Sequence, residues 1–249
     1  MSLTLSEYLS RTRRLLQNPS APTALYSDAD LSSYINQGRL RVAAEGESIR
    51  YLGTIPTVAD QRNYNINDIV LGVSADNGIA GALKVNSVTY GVGTGGFLWV
   101  APQAWPFFQT YMMSKAVPDT GAPKDWSQFG QGSTGNFYID PIPDIVYSLT
   151  CDCVCYPNDL DGTDDEIDAV PKLWDEAVPY FAAYLALLAA QTQQRQADAD
   201  RMLTRYKFFS DSAREFSNPM PSNYLYSQSK DPTRSGKLSG GSAPIQGGR

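Results

Sequence analysis

The sequence predicts an α+β protein: an N-terminal helical pair and long C-terminal helices packed together, an antiparallel β-sandwich or barrel-like domain inserted between them, and an extended C-terminal tail. Three observations carry this. Apolar residues recur at helical spacing over residues 1–50 and again over 158–217. Between them, over 51–157, short alternating runs rich in Val, Ile, Thr, Tyr and Phe are separated by turn residues. From 218 to 249 the chain turns to Gly, Ser and Pro and cannot bury a core of its own.

The first helix is announced by Thr4 as N-cap, with Glu7 completing a capping box and Leu3 placed to staple onto Tyr8. Leu5, Tyr8, Leu9, Leu15 and Leu16 form its apolar face, and Asn18-Pro19 ends it. The second helix has the same grammar: Ser27 caps, Asp30 stands three residues on, and Tyr26 and Leu31 can close a staple. Asp28 and Asp30 suit the positive end of its dipole. Leu31, Tyr34, Ile35, Gly38 and Val42 are expected to face inward, and Arg39, Arg41 and Glu45 outward.

Candidate strands are Gly53 to Val58, Arg62 to Ile66, Ile69 to Ser74, Leu83 to Tyr90 and Phe97 to Val100. Pro106 opens a short helix near 106–113, and Gly121-Ala122-Pro123-Lys124-Asp125-Trp126 reads as a turn. The last strands are Gly135 to Ile139 and Tyr147 to Tyr156; Asp140-Pro141-Ile142-Pro143-Asp144 between them is too rich in proline for a ladder. Helical spacing returns at Val170-Pro171 with a stripe of Trp174, Val178, Phe181, Leu185 and Leu188, and Pro179 is expected to kink that helix. A second amphipathic segment carries Met202, Leu203, Tyr206, Phe209, Ala213 and Phe216.

Composition narrows the function. With 249 residues and 42% apolar content the chain can bury a proper core. No apolar run approaches the roughly 20 residues of a membrane span, and the N-terminal residues do not read as a secretory leader, so synthesis in a cytoplasm is expected. The formal charge of -6 argues against a general nucleic-acid-binding surface. Lys230, Arg234, Lys237 and Arg249 against Asp231 make the tail basic, opposite in sign to the body. There is no histidine, which closes Ser/His/Asp and Cys/His catalysis and His-bearing zinc sites.

Each candidate site has a plain structural explanation. Cys151, Cys153 and Cys155 share one face of a strand; they are badly spaced for bridging each other and read as small, reduced, buried apolar groups rather than metal ligands. The acidic loop Asp159 to Glu166 has the density of a calcium loop without EF-hand spacing, and suits the positive end of the helix that follows. Gly91 to Gly96 invites a phosphate-loop reading, but Phe97-Leu98-Trp99-Val100 after it is strand-like, so Gly93, Thr94 and Gly95 become a hairpin tip and a candidate contact loop. Trp99, Trp105 and Trp126 offer sugar-stacking faces, although core packing is the commoner use. The expectation is therefore no enzyme, no cofactor and no metal.

The order of the parts resembles the head-to-tail adaptor (head completion, or connector) proteins of tailed bacteriophages. The carriers are the short first helix; Tyr26-Ser27-Asp28-Ala29-Asp30-Leu31 with Tyr34-Ile35-Asn36; Asp60-Gln61-Arg62-Asn63-Tyr64; Gly121-Ala122-Pro123 with Trp126; Tyr138 through Asp144; and Tyr147 through Tyr156-Pro157-Asn158-Asp159-Leu160 ahead of the helical end. The Gly-rich hairpin and the extended tail depart from that pattern.

The resemblance implies a non-enzymatic virion subunit. It would form a homo-oligomeric ring, commonly a dodecamer, beneath the portal protein, carry the tail tube or nozzle protein, and let genome DNA pass through its lumen without sequence-specific binding. In the tail, Tyr224, Tyr226, Lys230, Arg234 and Lys237 are the expected partner contacts, because aromatic anchors and basic heads suit an acidic partner. The competing class is a β-sandwich binding module of the tail that recognises a receptor or glycan.

Overall fold

The computed structural model describes residues 3–18, 25–72, 78–92, 96–162, 168–189 and 193–217. Helix α1 (Leu5–Leu15) begins at Thr4 with the full capping box to Glu7. Helix α2 (Asp28–Gly46) begins at Ser27, whose side chain accepts from the Asp30 N–H. Tyr26 and Leu31 are buried in one cluster, as the staple requires. Gly38 lies on the inward stripe of α2 for a packing reason: a Cβ there would stand 3.1 Å from the carbonyl oxygen of Val178.

One position of α2 differs from expectation. Arg41 and Glu45 are exposed, but Arg39 is fully buried. It follows Ile35 by four residues and precedes Val42 by three, so it lies on the same stripe, and its charge is met by a buried carboxylate described below.

Helix α4 (Ala177–Ala189) is apolar nearly all round because α1, α2 and α5 all pack on it. It starts later than its pattern suggests. Trp174 N–H bonds the Pro171 carbonyl and Ala177 N–H bonds the Trp174 carbonyl, so tight turns occupy the stretch after Pro171. Pro179 is consequently the third residue of α4, where no intrahelical acceptor is needed, and the expected kink has no cause. Helix α5 (Gln193–Ser217) buries Tyr206 and Ala213, whereas Phe216, like Leu188 of α4, is exposed.

The β region is one eight-stranded sheet: β1 (Arg50–Pro56), β2 (Asn63–Asn65), β3 (Val70–Leu71), β4 (Ile79–Val92), β5 (Gly96–Pro102), β6 (Asp125–Phe129), β7 (Asn136–Asp140) and β8 (Ser148–Pro157). Their spatial order is β2-β7-β6-β5-β4-β8-β1-β3. The end strands β2 and β3 are joined by a single 3-10 turn, Ile66–Asp68. Chain geometry holds Asn65 within about 17 Å of Val70, so the sheet must curl until its two edges nearly meet. Register shifts in β4 against β8 mark bulges, which add twist. Inside the curl Tyr64 stacks on Phe137, and Val85, Val88, Val100, Trp126, Ile139, Leu149 and the three cysteines share one core.

An antiparallel sheet was expected, but β5 and β6 pair in parallel at Ala101 and Pro102. The chain leaves β5, makes a helical excursion of α3 (Trp105–Phe107) and a π-turn (Phe108–Met112), and returns in the same direction. Strand β6 occupies residues read from sequence as the end of a turn. Its short, polar Asp125-Trp126-Ser127-Gln128-Phe129 carries little strand signal alone and becomes a strand by pairing with β7.

Candidate assembly site

Two polar knots organise the molecule, the first centred on a buried ion pair and the second reaching the surface. In the first, Arg39 Nε and Nη2 donate to Asp168 Oδ1 at 3.0 and 2.8 Å. Tyr8 from α1 donates its hydroxyl to Asp168 Oδ2, and the Val170 N–H donates to Oδ1. Arg39 Nη1 also donates to the Asn36 side chain and the Asn158 carbonyl. Asn36 in turn both accepts from the Leu160 N–H and donates to the Leu160 carbonyl. Burial, and then the Asp168 carboxylate, push the Tyr8 hydroxyl well above its usual range, so it remains a donor. The two helices and the strand-to-helix connection after β8 are thereby tied at one point.

The second knot lies at the end of β7. Asp140 accepts from Arg62 at 2.9 Å and from Lys115 at 3.3 Å, and Lys115 also reaches Asp119 at 2.6 Å. Backbone bonds gather the same neighbourhood: Lys124 N–H to the Asp140 carbonyl, Gly121 N–H to the Ile142 carbonyl, Asp60 N–H to the Pro143 carbonyl and Ile139 N–H to the Arg62 carbonyl. Trp126 pairs with Ile139 across β6 and β7.

The landmarks that lie far apart in the chain therefore meet in space. Tyr34-Ile35-Asn36 joins Asn158-Asp159-Leu160 in the first knot, and Asp60 to Tyr64, Gly121 to Pro123 and Tyr138 to Asp144 converge on the second. These residues build the subunit.

Cys151, Cys153 and Cys155 are free and fully buried on β8. Burial pushes the Cys151 thiol up to about 12 and Cys155 up to about 11, with Cys153 raised as well. Among the described residues no group of three or more His, Cys, Asp and Glu side chains could hold a metal ion. Asp159 and Asp161 of the acidic loop are described, and Asp164, Asp165 and Glu166 lie outside the described residues. Trp126 is buried, Trp105 is half-buried against Phe129 and Tyr138, and Trp99 is exposed.

The residues singled out for contacts, Tyr224, Tyr226, Lys230, Arg234 and Lys237 in the tail and Gly93, Thr94 and Gly95 in the loop, lie outside the described residues. The strands flanking that loop do pair as a hairpin, with Val92 opposite Gly96. Apart from Trp99, read from sequence as a sugar-stacking face, several exposed apolar side chains were not singled out: Phe97 and Leu98 beside it on β5, and Phe107, Tyr111, Met113 and Val117 on the excursion after it. Their signal is nevertheless in the sequence, since no Asp, Glu, Lys or Arg occurs from Val85 to Ser114 although 18% of the chain is charged.

A capped helical layer and a curled sheet, cross-tied by buried charges and carrying apolar patches on its surface, define an α+β structural subunit. A family model described as SU10 adaptor protein matches residues 3–222, most of the chain, and the chain belongs to that family of phage head-to-tail adaptors. It is thus a structural phage protein of the virion that acts with other head and tail proteins. No curated protein matches it significantly.

Proposed function

We propose that the chain forms a ring, twelve-fold as is common in such adaptors, between the portal protein and the tail tube or nozzle protein, with genome DNA passing through the lumen. The observation that carries this reading is the family match over residues 3–222, spanning every landmark that converges on the two knots. Its net charge of -6 suits a channel wall, because a basic lumen would hold phosphates and retard the genome. The subunit acts by packing and has no catalytic role. Tyr224, Tyr226, Lys230, Arg234 and Lys237 serve as contacts to an acidic partner surface, and Gly93, Thr94 and Gly95 as a contact loop.

Electron microscopy of the neck of tailed particles containing the chain tests the proposal. A ring of this subunit between portal and tail is expected. The chain at a fibre tip or baseplate, bound to a glycan and without a ring, would replace this reading with that of a receptor-binding module.

A further inference from the structure

Helix α5 carries an exposed aromatic strip along its seam with α4. The ring of Trp174, in the turns before α4, lies 5.8 Å from that of Phe216; Tyr180 of α4 stacks on Phe209 at 5.8 Å, and Phe208 meets Phe209 edge-on at 5.6 Å. Phe208, Phe216 and Leu173 are 65%, 76% and 76% exposed. Phe208 and Phe216, eight residues apart, are separated by about 12 Å along the helix axis, with Ser212 between them on the same side. Exposed Arg205, Asp211 and Glu215 stand beside the strip, which gives it the apolar centre and polar rim of a small docking site.

The chain itself supplies an occupant where this strip ends. Arg50, bonded to Asp152 of β8, donates from Nη1 to the Ser217 carbonyl at 2.6 Å, which fixes the point from which the chain continues. Pro219 and Pro221 each disfavour helix in the residue before them, so α5 cannot be prolonged. Of the 32 residues beyond Ser217, the apolar ones other than proline gather at the start as Met220, Tyr224, Leu225 and Tyr226; only Leu238, Ala243 and Ile245 follow. In an extended run Tyr224 and Tyr226 share one side with a repeat of about 6.6 Å, close to the rise of about 6 Å between helix residues four apart.

We infer that in the free subunit the segment from Pro219 to Tyr226 folds back onto α5 of the same copy, with Met220 over Trp174 and Phe216 and the two tyrosines over Phe208 and Phe209. Length agrees with this placement. After a bend at the prolines, Pro221 to Tyr226 spans about 17 Å when extended, enough to run from Phe216 back past Phe208. So short a tether gives the segment a roughly millimolar effective concentration at its own helix, well above that of any other copy in dilute solution. Lys230, Arg234 and Lys237 then extend beyond the docked segment, and a partner that binds the tyrosines must take them from α5. The inference goes beyond the adaptor reading and stands without it.

The test is limited proteolysis of the purified full-length chain, with each cut bond resolved by mass spectrometry. Chymotrypsin should cut after Tyr224 and Tyr226 about tenfold more slowly in the native chain than in the Phe208→Ser/Phe216→Ser variant, because cleavage follows the fraction of molecules in which the segment is open. Trypsin should cut after Arg234 and Lys237 at the same rate in both, and a parallel rise there would overturn the inference. Met220→Ser leaves the sequence of α5 unchanged and should raise the chymotrypsin rates about threefold. Equal chymotrypsin rates in the native chain and in either variant would overturn the inference. So would protection that grows with protein concentration between about 1 and 100 µM, since it would put the segment on another copy.

Discussion

The guanidinium of Arg39 and the carboxylate of Asp168 meet at 2.8 Å with their side chains 1% and 0% exposed, although 129 residues separate them in the chain. Such a pair holds α2 to the segment entering the C-terminal helices in one register. Two charges taken out of water gain little net stability, but either one left alone is costly. The pair therefore specifies the arrangement of the helical layer more than it strengthens it.

Arg39→Met is expected to destabilise the subunit by about 3–5 kcal/mol, because it leaves the Asp168 charge buried without its cation. Asp168→Asn should cost a similar amount, and the double change less than the sum of the two. Urea denaturation of the four proteins of that cycle gives the coupling directly. Additive effects would show that the pair does not act as a unit.

Asn36→Ala removes both bonds to Leu160 and one acceptor of Arg39. About 1–3 kcal/mol should be lost, the range for buried groups left without partners. Tyr8→Phe removes only the hydroxyl and should cost less than Asn36→Ala. Thermal melts of the two variants side by side check the ranking.

The helix starts were legible because capping is local: Thr4 with Glu7, and Ser27 with Asp30, lie within one turn. Arg39 was misread because charge outweighed its position on the stripe, and Asp168, its reason for being inside, is remote in sequence. Strand β6 was missed for a related reason, since its identity rests on partners in β5 and β7 rather than on its own residues. The parallel pairing depends on how the excursion returns, which no local pattern encodes. The exposed apolar side chains of β5 and of the excursion after it were legible only as an unusually long uncharged run, because exposure is a property of the packed sheet.

Pro179→Ala tests where α4 begins. A proline inside a helix costs about 3 kcal/mol relative to alanine, so its removal from a kinked interior would stabilise the protein markedly. At the third position of α4 the substitution should change stability by less than about 1 kcal/mol. Chemical denaturation distinguishes the two.

Gly53→Ala probes the closure of the sheet. Gly53 faces Leu71 in the β1–β3 pair, and an added Cβ would collide with the Ile69 side chain and press on Leu71. The short β3 must then move away, opening the seam beside the turn that joins the two sheet edges. A loss of about 1–3 kcal/mol, the usual cost of overpacking, is expected, with faster amide exchange in β3 than in β8.

The buried thiols make a prediction about alkali. Folding raises Cys151 to about 12 and Cys155 to about 11 from an unfolded value of 9.0, so the folded state retains protons that the unfolded chain releases. The sign follows: this contribution is fully present below pH 9.0 and is lost as the pH rises through the folded values. Stability should thus fall between pH 9 and 11, and replacing Cys151 and Cys155 by Ala should flatten that part of the profile despite its packing cost. In the native protein at pH 8 all three thiols should resist a thiol-specific disulfide reagent, and all three should react in denaturant. Rapid reaction of the native protein would mean that β8 opens locally, and that the core it shares with α2 is looser than its burial implies.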